Sequence, residues 1–132
     1  MEIVQGGYTI RKMVAGSGGG SKGAVAVVSS GTAVKATTNP SAGTVLGIFA
    51  EDASAGGTAY IAVPDANAII RTPYDTDNSA TLDDDDLGTA FALADEESVD
   101  IDETSNGVAV CQGYDNDNGT IDFVFTKAAM YW

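Results

Sequence analysis

No stretch of about eleven residues in this chain carries an apolar stripe at helical spacing. Its apolar residues fall in short runs that glycine, asparagine or proline interrupts. AVAVVSS (24–30), TAVKATT (32–38), TVLGIFAED (44–52), TAYIAVP (58–64) and NAIIRT (67–72) read as strands. So do TAFALA (89–94), SVDID (98–102), GVAVCQGYD (107–115) and TIDFVFTK (120–127). In the last run Ile121, Phe123 and Phe125 share one face, which predicts core packing. Between the runs, ADEES, ETSNG and DNDNG supply hairpin loops, two of them with the Asn-Gly step that tolerates positive φ. DDDDLGTAFALADEE has room for a turn or a short helix. With 132 residues, 44% hydrophobic, and 16 glycines, the expectation is an all-β chain. The fold class predicted is a small β-barrel or barrel-like sandwich of about eight short strands, formed by residues 24–132 as one domain.

Residues 1–23 read differently. Ile3, Tyr8 and Ile10 are scattered apolar anchors ahead of the stretch GSGGGS (16–21), so an extended N-terminal arm with a flexible Gly-rich hinge is expected there. An engineered linker and a natural hinge are both compatible with that composition. The two stretches 24–64 and 90–126 also echo each other in the order of their strands and turns, which fits either an internal duplication or the ready repetition of hairpins in β proteins.

Charge is divided along the chain. Residues 75–122 hold fifteen acidic side chains and no Lys or Arg, within a net charge of −13, so phosphate backbones are repelled and no nucleic-acid partner is expected. The first 35 residues instead carry Arg11, Lys12, Lys22 and Lys35 against Glu2 alone, which suits an acidic protein surface. Cys111 is the only cysteine and sits in an apolar run, where a buried structural thiol is expected. No apolar run approaches the roughly 20 residues that span a bilayer, and no signal segment is apparent, so synthesis and folding in the cytosol with no membrane partner are expected.

The chain has no histidine, which removes Ser-His-Asp and Cys-His nucleophiles and His-containing zinc sites. GSGGGSKG lacks the spacing of a phosphate loop and the Ser/Thr after Lys22, and the acids fall mostly in turns rather than as a glycosidase pair. No enzyme activity and no cofactor are expected. The stretch DTDNSATLDDDD (75–86) places oxygen-bearing side chains at calcium-loop positions: Asp75, Asp77, Ser79, Thr81, Asp83 and Asp86. Ala80 stands where such a loop turns on glycine, and Asp86 where it uses glutamate. A solvated acidic connector is therefore the favoured reading, with Asp75, Asp77, Asp83 and Asp86 as the calcium ligands of the alternative. Asp115 and Asp117 in DNDNG are read the same way. Tyr131 and Trp132 close the chain as a large amphipathic pair that needs cover, from this chain or a neighbour.

From Gly31 to Val63 the sequence resembles the small phage head decoration, or capsid cement, proteins. The residues that carry the resemblance are Gly31-Thr32, Val34 to Thr37, Val45 to Ala50 and Ala55 to Val63, with LGTAFAL and GVAVCQGYD fitting the later strands. It covers roughly 95 of 132 residues. The resemblance implies a barrel-like body on the outer surface of a virion, a homotrimer, a major capsid protein as partner, and an arm laid over shell subunits. Chemistry alone nominates Ile3, Tyr8, Ile10, Arg11, Lys12, Tyr131 and Trp132 as capsid or subunit contacts. The competing expectation is a soluble all-β binding module associated with calcium or carbohydrate.

Overall fold

The computed structural model describes residues 1–131; Trp132 lies outside the described residues. Eleven strands form in chain order: β1 (Glu2–Gln5), β2 (Tyr8–Val14), β3 (Val25–Ser29), β4 (Thr32–Lys35), β5 (Val45–Phe49) and β6 (Thr58–Pro64) come first. β7 (Ile69–Asp75), β8 (Ala90–Asp95), β9 (Ser98–Asp100), β10 (Ala109–Asp115) and β11 (Thr120–Phe125) follow. A single turn of 3₁₀ helix spans Asp84–Asp86. The chain is all-β, in a sandwich-like arrangement of a five-stranded sheet ordered β2-β6-β5-β3-β4 and a six-stranded sheet ordered β1-β7-β11-β10-β8-β9. Every run nominated from the sequence is a strand. The nine runs give β3–β11, and residues 1–23 add β1 and β2, so the count is eleven rather than about eight.

The first 23 residues are built into the body. β1 pairs antiparallel with β7, and β2 pairs antiparallel with β6 over its full length. The Gly-rich stretch is equally tied down. Gly20 N–H donates to Ala53 O at 3.0 Å and Ala53 N–H returns the bond to Gly20 O at 2.8 Å. Its backbone crosses the Phe49 ring so closely that a Cβ on Gly20 would lie 2.3 Å from ring carbons. Glycine is required here by close approach, a constraint that composition alone cannot distinguish from looseness.

The two halves share one topology. In β2–β6 and again in β7–β11, the spatial order is first, fifth, fourth, second, third. The registers correspond residue by residue. Val14 opposes Thr58 as Pro73 opposes Thr120, and Arg11 opposes Ile61 as Ile70 opposes Phe123. Just beyond β2, Ala15 meets Ala33 of β4 in a parallel bridge; likewise Tyr74 of β7 meets Val99 of β9. Ala15 N–H donates to Gly57 O at 2.8 Å, and its counterpart Tyr74 N–H donates to Gly119 O at 3.0 Å. Lys12 therefore occupies the position of Arg71, and Ile10 that of Ile69. The echo between 24–64 and 90–126 in the sequence is a repeat of strand order and pairing.

Chain ends cross between the halves. β1 precedes the first half yet lies in the second half's sheet. The C-terminal segment follows the second half and pairs with β5: Val45 N–H donates to Ala129 O at 2.9 Å, and Tyr131 N–H donates to Val45 O at 2.8 Å. Asn39 ties loops across the same divide, its Nδ2 donating to Asn106 O at 2.9 Å and its Oδ1 accepting from Leu93 N–H at 3.0 Å.

Two buried clusters follow from this layout. The larger joins both sheets through Val25, Val45 and Ile48 on one side and Ile70, Phe91, Val99, Ile121 and Phe123 on the other. Phe123 and Phe125 meet edge to face with centroids 5.1 Å apart. The smaller cluster belongs to the first half and is mostly alanine, with Leu46, Phe49 and Ile61 as its large members. Cys111 is buried, as the sequence predicts, and burial pushes its thiol pKa up. Replacing Phe123 by Ala is expected to cost about 3–5 kcal/mol of unfolding free energy in denaturant titrations. Gly20→Ala is expected to cost about 1–3 kcal/mol by overpacking against Phe49. A neutral Gly20→Ala would mean that the segment is a free hinge after all.

Candidate contact surface

Because side chains alternate along a strand, β2 turns Tyr8, Ile10, Lys12 and Val14 to one face and Thr9, Arg11 and Met13 to the other. Met13 packs on the alanine-rich cluster. The opposite face stays in solvent: Tyr8 is 56% exposed, Ile10 46% and Val14 55%. Three large apolar side chains on one face of a strand, with Lys12 between Ile10 and Val14, are a patch of the kind that marks contact surfaces, unlike a single exposed residue. Beside them lies a groove of about 300 Å³ lined by Met1, Ile3, Tyr8, Ile48 and Ala62, with Lys22 also on its wall. Met1 is fixed there by its ammonium, which donates to Gly23 O at 2.9 Å, and burial lowers the pKa of that group.

The residues nominated from sequence for contact converge only in part. Tyr8, Ile10 and Lys12 share the outer face of β2, and Ile3 reaches the adjoining groove. Arg11 points the other way, where its guanidinium carbon sits 5.7 Å from the centroid of the Tyr131 ring, a cation–π contact. Tyr131 is 42% exposed, so this pair forms a second, smaller apolar and cationic spot. Trp132 lies outside the described residues. Val14 belongs to the patch and was missed; the alternation Tyr8, Ile10, Lys12, Val14 was the signal that could have found it.

The acidic connector is organised by its own backbone. Asp83 and Asp86 form a capping box around the 3₁₀ turn, Asp83 accepting from Asp85 N–H and Asp86 from Asp83 N–H, both at 2.9 Å. Asp75 accepts from Thr76 N–H at 3.0 Å, while Asp77 N–H donates to the Asp102 carboxylate. Leu82 is buried in the larger cluster and clamped by Asn116, which accepts from Leu82 N–H and donates to Leu82 O. Tyr114 O–H donates to Asp84 at 2.9 Å, and this bond raises the tyrosine's pKa. Among the described residues, no three His, Cys, Asp or Glu side chains form a group that could hold a metal ion. Asp75, Asp77, Asp83 and Asp86 are not brought together as a ligand set.

A larger groove, about 730 Å³, is elsewhere, lined by Val27, Val34, Thr37, Asn39, Thr44 and Lys35 among others. Lys35 Nζ lies 3.7 Å from Glu96 Oε1, and no aromatic side chain among the described residues lines this groove. A scan of protein-family models and a search of curated proteins find no match to the chain.

Two carboxylates in the turns of the second half are held below their usual pKa range. The Asn118 side chain, then its backbone N–H, stabilises the ionised Asp115, and Ser105 N–H does the same for Glu103 at 2.7 Å. A depressed folded-state pKa adds stability above the unfolded value and loses it as pH falls through the folded one. The melting-temperature advantage of the wild type over Asp115→Asn is therefore expected at neutral pH, shrinking progressively below about pH 4. An advantage that persists unchanged into acid would contradict the assignment.

Proposed function

We propose that this protein is a structural decoration, or cement, protein that binds the outer surface of a viral shell and stabilises it. The observation that carries this reading is the outer face of β2: three exposed apolar side chains with Lys12 among them, in a chain whose net charge is −13. The resemblance of residues 31–63 to head decoration proteins supplies the class of partner, a major capsid protein, and a homotrimer as the working unit. In this reading each half is a small barrel closed by its short parallel contact, and no catalysis, cofactor or nucleic acid is involved.

Such a role needs area rather than a pocket. A protein that binds an assembled shell better than free subunits stabilises the shell by mass action. Interfaces of about 1,200–2,000 Å² suffice for specific contact. The contact face combines apolar area with cations, and the acids of residues 75–122 give the coated particle a repelling exterior.

Co-sedimentation with empty capsids of candidate bacteriophages, followed by imaging, tests the reading. Tyr8→Ser with Ile10→Ser is expected to weaken shell binding by about tenfold or more. As exposed substitutions, they should leave stability within about 0.5 kcal/mol. Undiminished binding would remove β2 from the interface. Replacing Asp83 to Asp86 by Asn should reduce the solubility of coated particles without reducing binding. A large melting shift with excess calcium would instead favour a metal-binding module.

A further inference from the structure

The repeat exposes an asymmetry at the first strand of each half. In the second half, both edges of β7 are covered. One edge pairs with β11; the other meets β1 opposite Ile69, Ile70 and Arg71, then β9 opposite Tyr74 and Asp75. Between those two partners stands Pro73, which has no N–H to leave unpaired. In the first half the corresponding strand, β2, pairs with β6 along one edge and meets β4 only past its end, at Ala15. Val14 stands where the second half has proline.

Backbone groups alternate between the two edges of a strand. Ala15 N–H bonds toward β6, and Gly16 N–H bonds toward β4, donating to Ala33 O at 2.8 Å. The β2–β6 register runs without a bulge. The N–H and C=O groups of Tyr8, Ile10 and Lys12 therefore face the edge away from β6, where among the described residues β2 has no strand partner before the bridge at Ala15. Natural sheets blunt such edges with short strands, bulges or proline. β1 is short and bulged, β4 is short, and β7 has its proline; β2 is seven residues long, regular and apolar on its face.

We infer that the open edge of β2 receives an extended, acidic segment of a partner protein as an added antiparallel strand, in the register that β1 takes on β7. The chemistry of that segment follows from the repeat. Glu2 stands opposite Arg71 in the β1–β7 pair. An incoming strand in the same register places one residue opposite Lys12, the counterpart of Arg71, and the next opposite Arg11. Where Ile3 faces Ile70 in the second half, the first half offers Arg11, so a second acidic residue is favoured. A second copy of β2 is a poor occupant, because two such strands pairing antiparallel bring Arg11 and Lys12 of both copies together. The inference deepens the proposed role by naming the chemistry of the shell segment. It rests on that role for the partner's identity, not for the open edge.

A capped synthetic hexapeptide with two adjacent central Glu flanked by Ile and Val is the probe, with its Glu→Lys counterpart as control, titrated into the full chain and read by amide chemical shifts and hydrogen exchange. The acidic peptide is expected to slow exchange at Ile10 and Lys12 and to bind at least about tenfold more tightly than the basic one. Arg11→Glu with Lys12→Glu, folded by the same spectra, should reverse that preference. Equal affinity for both peptides, or protection elsewhere than β2, overturns the inference. So does a doubled mass in free solution with Ile10 and Lys12 already protected, which would make a second copy the occupant. Shell binding without peptide pairing leaves the cement role standing and removes the strand; peptide pairing without shell binding supports the strand and removes the cement role.

Discussion

A β-strand has two edges, and each must find hydrogen-bond partners in the sheet or in water. Much of this structure answers that requirement at the first strand of each half. β7 is sealed by β11, β1, β9 and Pro73, at the expense of drawing the chain's N-terminal strand across to the far sheet. That crossing, and the return of the C-terminal segment onto β5, lock the two halves into one body. The same demand leaves β2 with one long edge facing water. The candidate contact surface is thus the place where a repeated fold has one fewer strand than its twin.

Packing and charge reinforce that asymmetry. The first half encloses a small alanine-rich cluster, whereas the second half supplies most of the large apolar side chains of the core. The cations Arg11, Lys12 and Lys22 lie in the first half, and most acids lie in turns of the second, where backbone N–H groups hold several of them. The acidic connector looks like a calcium loop in sequence because alternating Asp, Ser and Thr also cap turns. Its oxygens are largely engaged with nearby N–H groups, and Leu82 anchors it to the core.

Strands β3 to β11 were legible because alternation and turn residues act locally. The fate of Ile121, Phe123 and Phe125 followed from their spacing, and that of Cys111 from its apolar surroundings. Residues 1–23 were misread for a physical reason. Glycine signals freedom in an unfolded chain, yet Gly20 is there because the Phe49 ring leaves no space for a side chain. β2 was hidden by the cations that interrupt its apolar alternation, and its exposed face depends on the absence of a neighbour, which no local pattern encodes. The repeat was visible as an order of elements, but the equivalence of Lys12 with Arg71 needed registers.

Amide hydrogen exchange on the free chain tests the edge asymmetry most directly. Arg71 and Lys12 hold equivalent positions, one beneath β1 and the other on the open edge. The account expects strong protection at Arg71 and exchange at Lys12 faster by at least about a hundredfold, close to that of an unstructured amide. Equal protection at the two positions, in a protein of monomeric mass, would contradict it.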